Sequence, residues 1–359
     1  MTKKTSTLTH RERVRLALDH QPTDRIPIAL VCSGINSPAR EEFDALLARQ
    51  RGTTLGAFLG PLLDIQEITP PLKRPVAQSG FDIWGVHRLS ASYGSGSYEE
   101  IDVYPIANAA TAADLDRHTW LSTDWFDYAA LPELVRHQRV TGNPCLMAEN
   151  GNIFETSWYM RGFEQMFMDF ILNPELAHAL LDRVCDFYVE HFTRILSAVP
   201  GEIDLVFTAD DIGGQEGLLM SLEMWETFIK PCHVRLNRRI HELGARVIYH
   251  SDGAVMEAVP GLIDMGIDVL QALQFDARGM DPVRLKAEFG DRLGFEGGVS
   301  VQRTLPFGTP ADVTDEVERL VRVLGHDGGY ILGPSHVIQA GTPPENILAM
   351  FDAALACSA

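Results

Sequence analysis

The chain has 359 residues and a formal net charge of -19. That balance argues against nucleic acid as a partner, because a phosphate backbone demands a basic face, and more weakly against a polyanionic substrate. Hydrophobic residues make up 45% and charged residues 22%, a composition normal for a soluble globular protein whose core can be large without a disulfide staple, and the length suits one large α/β barrel.

The start, "MTKKTSTLTHRERVRLALDH", is basic but has no apolar run behind it, which predicts no signal peptide. No apolar stretch reaches the 18 residues of a membrane span. Within this start Thr9 and Glu12 have the spacing of a capping box, and Val14, Leu16, Ala17 and Leu18 form an apolar face. "QPTDR" then stops the helix, and a first strand follows at "IAL". Residues 31–140 are irregular and read as an insertion or cap, with a twisted antiparallel pair over 81–107. "GSGSYE" inside it has two glycines at phosphate-loop spacing, but no third glycine and no helix behind.

From residue 142 the pattern turns rhythmic. Strands are expected in "NPCLMAENG", "IDLVFTADDIGGQ", "ARVIYHSDG", "DVLQALQ", "LGFEGGV" and "GYILGPSH", each alternating with an amphipathic helix. Pro231 marks a joint between two of those helices. Such alternation predicts parallel βα units. With the first strand the count is at least seven, near the eight of a (β/α)8 TIM barrel; an open doubly wound sheet is the alternative. Five cysteines, at 32, 145, 185, 232 and 357, show no paired spacing and read as reduced thiols of a cytoplasmic protein.

Polar residues collect at the C-terminal strand ends: Glu149, Asp210, Asp211, His250, Asp252, Gln271, Glu296 and His336. In a barrel these ends form one mouth, where active sites lie. His250 and Asp252 are two apart, so both face the mouth if the strand continues. Asp252 could instead cap the next helix. His336, at the end of the last strand, can reach across. Two imidazoles and a carboxylate with one place open would make a catalytic zinc site. Asp210 and Asp211 are adjacent and diverge, so one is expected at the mouth as an acid and the other in a turn. Glu149 ends a buried strand and is a candidate base or fourth ligand. Arg161, after Trp158 and Tyr159, either contacts a substrate carboxylate or pairs with Glu155. Tyr159, Trp84 and Gln271 complete the expected substrate contacts. No Gly-x-Ser-x-Gly elbow is present, and no cysteine sits beside a histidine at a strand end along the chain, so nucleophilic hydrolysis is unsupported.

"RERVRLALDHQPTDRIPI", "IYHSDGAV", "FEGGVSVQRTLPFGTPADV" and "GGYILGPSHVIQAGTPPENILAMF" resemble the uroporphyrinogen decarboxylase superfamily over nearly the whole chain. Within it the chain looks closer to the cobalamin-dependent methyltransferase branch. The resemblance implies a (β/α)8 barrel. True decarboxylases of this superfamily carry an arginine-rich "MRQAGR" segment that grips substrate carboxylates; here "IALVCSGINSPAR" stands in its place. The methyltransferase branch holds zinc through His-x-Cys and a distant cysteine near the last strand. This chain keeps the histidine as His250, with Asp252 at the first cysteine and His336 near the second.

The resemblance therefore implies either no zinc or a harder site of nitrogen and oxygen ligands only. A harder ion is the stronger Lewis acid, suited to freeing a methyl group from an ether oxygen or an amine. The expected activity is demethylation of a methoxylated or N-methylated small molecule, zinc-assisted, with the methyl passed to cobalt. No Asp-x-His-x-x-Gly motif is present, so the corrinoid is expected on a separate protein. A decarboxylase, a metal-dependent hydrolase and a non-catalytic ligand-binding barrel stay open as alternatives, as does a homo-oligomer.

Overall fold

The computed structural model describes residues 8–32, 34–73, 80–92, 97–140 and 142–357. Its strands are β1 (Ile65–Glu67), β2 (His87–Ser92), β3 (Ser97–Val103), β4 (Cys145–Asn152), β5 (Leu205–Ala209), β6 (Arg246–His250), β7 (Val269–Ala272), β8 (Gly294–Val299) and β9 (Tyr330–Pro334). All but β2 and β3 form one sheet in the order β1-β4-β5-β6-β7-β8-β9, with parallel pairing throughout.

The segment 26–31 closes that sheet. Ala29 N–H donates to the Leu332 carbonyl at 2.9 Å and Leu332 N–H to the Pro27 carbonyl at 2.8 Å, while Asp64 N–H donates to the Ile28 carbonyl at 2.8 Å. The segment thus lies between β9 and β1. The seven strands and this segment make eight staves, so the fold is a (β/α)8 barrel and the open sheet is excluded. Side-chain alternation agrees. Ala29, Val31, Ile65, Cys145, Met147, Leu205, Phe207, Ala209, Ile248, Val269 and Ile331 form one buried cluster, set two apart wherever a stave supplies more than one, which is the inward-facing set of a closed barrel. The second, larger cluster lies between the staves and the helices.

One expectation needs adjusting. The span 31–140 is not wholly a cap, because β1 is a barrel stave paired with β4. The antiparallel pair expected over 81–107 is present as β2 and β3. Residues 93–96, and with them both glycines of the "GSGSYE" reading, lie outside the described residues, as do residues 1–7 of the opening stretch. The capping box of Thr9 and Glu12 starts the helix His10–Leu18. No helix among the described residues is long and apolar enough to cross a membrane.

That first helix lies across the closure. Asp64, fully buried at the entry to β1, accepts from His10 Nδ1 at 2.7 Å, Arg13 Nη1 at 2.5 Å, Arg25 Nη1 at 2.7 Å and the Ile28 N–H at 2.8 Å. Burial alone would raise its pKa. The His10 hydrogen bond and the Arg25 and Arg13 guanidinium groups outweigh that and hold it below the usual carboxylate range. A depressed folded pKa gives stability above the unfolded value of about 3.9 and loses it as pH falls through the folded value. Asp64→Asn should therefore lose roughly 3–5 kcal/mol in urea unfolding at pH 7, with the gap to the parent chain closing below about pH 4.

Candidate metal and active site at the barrel mouth

Ala209, His250, Gln271, Glu296 and Ile331 are successive register partners across β5 to β9, one rung of the barrel. On that rung His250 Nδ1 donates to Gln271 Oε1. This fixes the tautomer and turns Nε2 toward the mouth, as an outer-shell partner does for a ligating histidine. Nε2 lies 3.5 Å from Asp211 Oδ1 and 3.8 Å from Asp252 Oδ1. His336 comes from beyond β9, its ring centroid 5.8 Å from that of His250. Its Nε2 is 3.8 Å from Asp252 Oδ2 and 3.7 Å from Cys32 Sγ.

The loops after β5 and β6 are stitched to each other, and this sets those distances. Asp252 N–H donates to Asp211 Oδ1 at 2.8 Å, Ile212 N–H to Ser251 Oγ at 3.0 Å, and Ala254 N–H to the Gly214 carbonyl at 2.8 Å. The backbones touch at Gly213 and Gly253. A Cβ on Gly253, whose φ is +82°, would fall 2.6 Å from the Gly213 carbonyl carbon, so the "SDG" turn requires glycine.

Two overlapping groups gather metal-ligating atoms within 4.8 Å of one another: Cys32, His250 and His336, and Asp211, His250 and Asp252. The contacts of 3.5–3.8 Å exceed ordinary hydrogen bonds. They are near the roughly 3.3–3.8 Å edges of a tetrahedron built from zinc bonds of about 2.0–2.3 Å. Asp252 Oδ1 is buried without a hydrogen-bond partner, and Asp252 caps no helix, since the next one, Val259–Asp264, begins after Ala258. The residues fit a divalent cation.

The charges fit it too. Burial, and then Asp252 and Asp211, push the Cys32 thiol up to about 12. Burial, then Asp211 and Asp210, raise Glu155 to about 8. Burial and the nearby Asp211 raise Asp252 against the pull of His250 and His336. Carboxylates crowd here, and among the described residues only the two imidazoles, and no Lys or Arg, are ion-pair partners of Asp211 and Asp252.

Other expected residues take different places. Asp210 is fully buried and accepts from the Phe154 and Glu155 N–H groups at 2.9 and 2.8 Å and from His233 Nε2 at 2.6 Å. It is thus the anchor of the helix Ile153–Arg161 and not an acid at the mouth. Arg161 is buried and pairs with Asp169 at 2.7 Å and with the carbonyls of Ile106 and Ala107. It contacts neither substrate space nor Glu155. Trp84 packs on Phe187 and Tyr188 in the core. Gln271 is fully buried and holds His250 instead of touching substrate. Glu149 faces Glu67, outside the metal groups. Burial, then the hydrogen bond and charge of Glu67, raise it to about 9. A cavity of about 490 Å³ beside Leu30, Ile35 and Arg40 reaches Glu67 but not the histidines.

Tyr159 does reach the site. Its hydroxyl donates to Glu155 Oε1 at 3.1 Å, Asn152 Nδ2 donates to Glu155 Oε2 at 2.7 Å, and the Arg88 guanidinium lies 5.0 Å from the centre of the Tyr159 ring. Glu155 and Cys32 escape sequence reasoning. Glu155 sits in the first turn of a helix and Cys32 in an irregular span, so neither carries the strand-end signal.

Two consequences are measurable. Asp210→Asn should cost about 2–3 kcal/mol, because it unpairs a buried network. Asp211→Asn should stay within about 0.5 kcal/mol of the parent chain in the same unfolding series, and lower metal retention instead. Glu149 holds a proton in the folded chain up to about pH 9 but in the unfolded chain only to about 4.3. Stability should therefore fall as pH rises across that window, and Glu149→Gln should flatten the fall.

A family model described as uroporphyrinogen decarboxylase (URO-D) matches residues 128–356. A methylated-thiol–coenzyme M methyltransferase of Methanosarcina mazei is 28% identical over 197 residues, 55% of this chain and 49% of that protein. The match thus spans about half the length of that relative. A solved methyltransferase structure from Methanosarcina mazei superposes with a TM-score of 0.67 at 19% identity, covering 97% of this chain and 98% of its own; that likeness is one of fold. The family model alone takes in the staves β4 to β9 with their mouth residues, more than half of the sequence, and the chain belongs to the uroporphyrinogen decarboxylase (URO-D) family.

Proposed function

We propose that this chain is a methyltransferase that moves a methyl group from a methoxylated or N-methylated small molecule to the cobalt of a separate corrinoid protein. The observation that carries the reading is the convergence of His250, Asp252 and His336 at the barrel mouth. The name of the curated methyltransferase relative supports it.

Under this reading His250 Nε2, His336 Nε2 and an Asp252 oxygen would hold zinc. When bound, zinc would polarise the oxygen or nitrogen that carries the methyl group. The chain's own residues do the rest. Gln271 keeps the His250 lone pair directed at the mouth. Asp211 holds the Asp252 backbone N–H and so fixes the second loop. When the methyl leaves, the bonding pair stays on the heteroatom, which then needs a proton. Glu155, raised to about 8 by burial and then by Asp211 and Asp210, stands next to Tyr159 and would supply it.

The test uses the purified chain with zinc, cob(I)alamin as the methyl acceptor and a panel of methoxylated and N-methylated aromatics and amines. The expected result is methylcobalamin formation, read by absorbance, from at least one donor. His250→Ala and His336→Ala should each lose bound zinc and turnover with a modest change in melting temperature, since the large core, not the site, carries the fold. Methanol or amine released without any corrinoid would point to hydrolysis. Coproporphyrinogen formed from uroporphyrinogen at enzyme-like rates would restore the decarboxylase reading.

A further inference from the structure

We infer that Cys32 is a ligand of the metal at the mouth, so that the site offers one thiolate with two imidazoles and a carboxylate. This rests on the metal reading above and goes beyond it by adding a ligand from the first stave. Geometry carries the inference. Cys32 Sγ, a His250 ring nitrogen and a His336 ring nitrogen lie within 4.8 Å of one another, and Sγ is 3.7 Å from His336 Nε2. That last spacing is close to the roughly 3.5 Å edge between a nitrogen and a sulfur on one tetrahedral zinc.

The backbone points the same way. Cys32 follows the stave segment 26–31 and has a φ of +63°, a left-handed conformation that a non-glycine residue adopts at a cost. That turn breaks the alternation of the stave. Val31 is already directed into the barrel interior, so a regular strand would send Cys32 outward. Instead its sulfur reaches the seam beside His336. The other cysteines are elsewhere: Cys145 on the inner face of β4 with Ile65 and Met147, Cys185 and Cys232 on packed helices beside Arg235, and Cys357 behind the last helix.

The chemistry of the set is selective. A thiolate and two imidazoles favour zinc, or cobalt in its place, over magnesium, calcium or manganese, which prefer oxygen. Binding replaces the thiol S–H bond with a sulfur–metal bond and releases the proton to solvent. Asp252 would supply the oxygen ligand, and zinc in such a set could still expand to accept substrate. One thiolate among nitrogen and oxygen ligands still leaves the ion a stronger Lewis acid than a site with two.

Cobalt(II) substitution of the full chain tests this without any turnover. The parent chain loaded with cobalt should show the near-ultraviolet thiolate-to-cobalt charge-transfer band. Cys32→Ser should lose the band and weaken zinc binding by at least the roughly 10–100-fold that even an outer-shell partner commands. Cys357→Ser should keep both. Cobalt bound by the parent chain without the band, or a band that survives Cys32→Ser, overturns the inference and leaves the metal reading standing. A parent chain that takes up neither cobalt nor zinc overturns both. Should Cys32→Ser fail to fold, alkylation of the parent chain decides: zinc must protect Cys32 from iodoacetamide by mass spectrometry, and equal labelling with and without zinc overturns the inference.

Discussion

Everything at the mouth depends on how the barrel closes. The segment 26–31 hydrogen-bonds to β9 on one side and to the entry of β1 on the other. The parallel sheet would otherwise end at two unpaired edges. Asp64 holds the lower end of this seam with Arg13, Arg25 and His10, and its own N–H and carboxylate both bind Ile28. A buried carboxylate with two guanidinium partners is strongly destabilised if any partner is lost, so the register of the first stave is fixed. The upper end of the same seam carries Cys32 and His336. A slip of one residue in that stave would turn its inner face outward and separate them.

The mouth is acidic on purpose only if something positive enters it. Burial and then the nearby Asp211 raise the pKa of both Glu155 and Asp252, and Glu296 on the same rung is fully buried and pushed well above the carboxylate range by burial, with Gln271 offsetting part of that. Glu296 lies beside Gln271 and His250 on one rung, and the Asp211 and Asp252 carboxylates gather on the Nε2 side of His250. A dication at that point would favour the ionised form of the carboxylates that hold it.

The barrel was legible because its strands repeat. "IDLVF", "ARVIY" and "GYIL" are buried on both faces and alternate with helices, and polar residues mark their ends. β1 was not legible. It has three residues, two of them Gln66 and Glu67, and sits in an irregular span, so neither length nor alternation announces it. The site divides the same way. His250, Asp252 and His336 lie at strand ends, and strand direction points them to one place. Arg161 and Trp84 were misplaced because a helix or loop residue near an aromatic cluster carries no direction in the sequence; burial by Asp169 and by Phe187 decided them. Cys32 needed the seam, which is contact between the first and last staves, about 300 residues apart in sequence.

The pair Asp210 and Asp211 shows how one dipeptide can both build and serve a site. Successive strand residues diverge, and the divergence is kept just past β5. Asp210 turns away from the mouth and binds two N–H groups at the start of the helix Ile153–Arg161, backed by His233. Asp211 turns toward His250 and ties down the Asp252 loop. The helix that Asp210 anchors is the one that carries Glu155 and Tyr159. The helix that carries Glu155 is therefore held by a buried carboxylate, and the Asp252 loop by the next residue along the chain. Because Asp210 and Asp211 are consecutive, the hydrogen bonds that hold the two segments start from one point of the backbone.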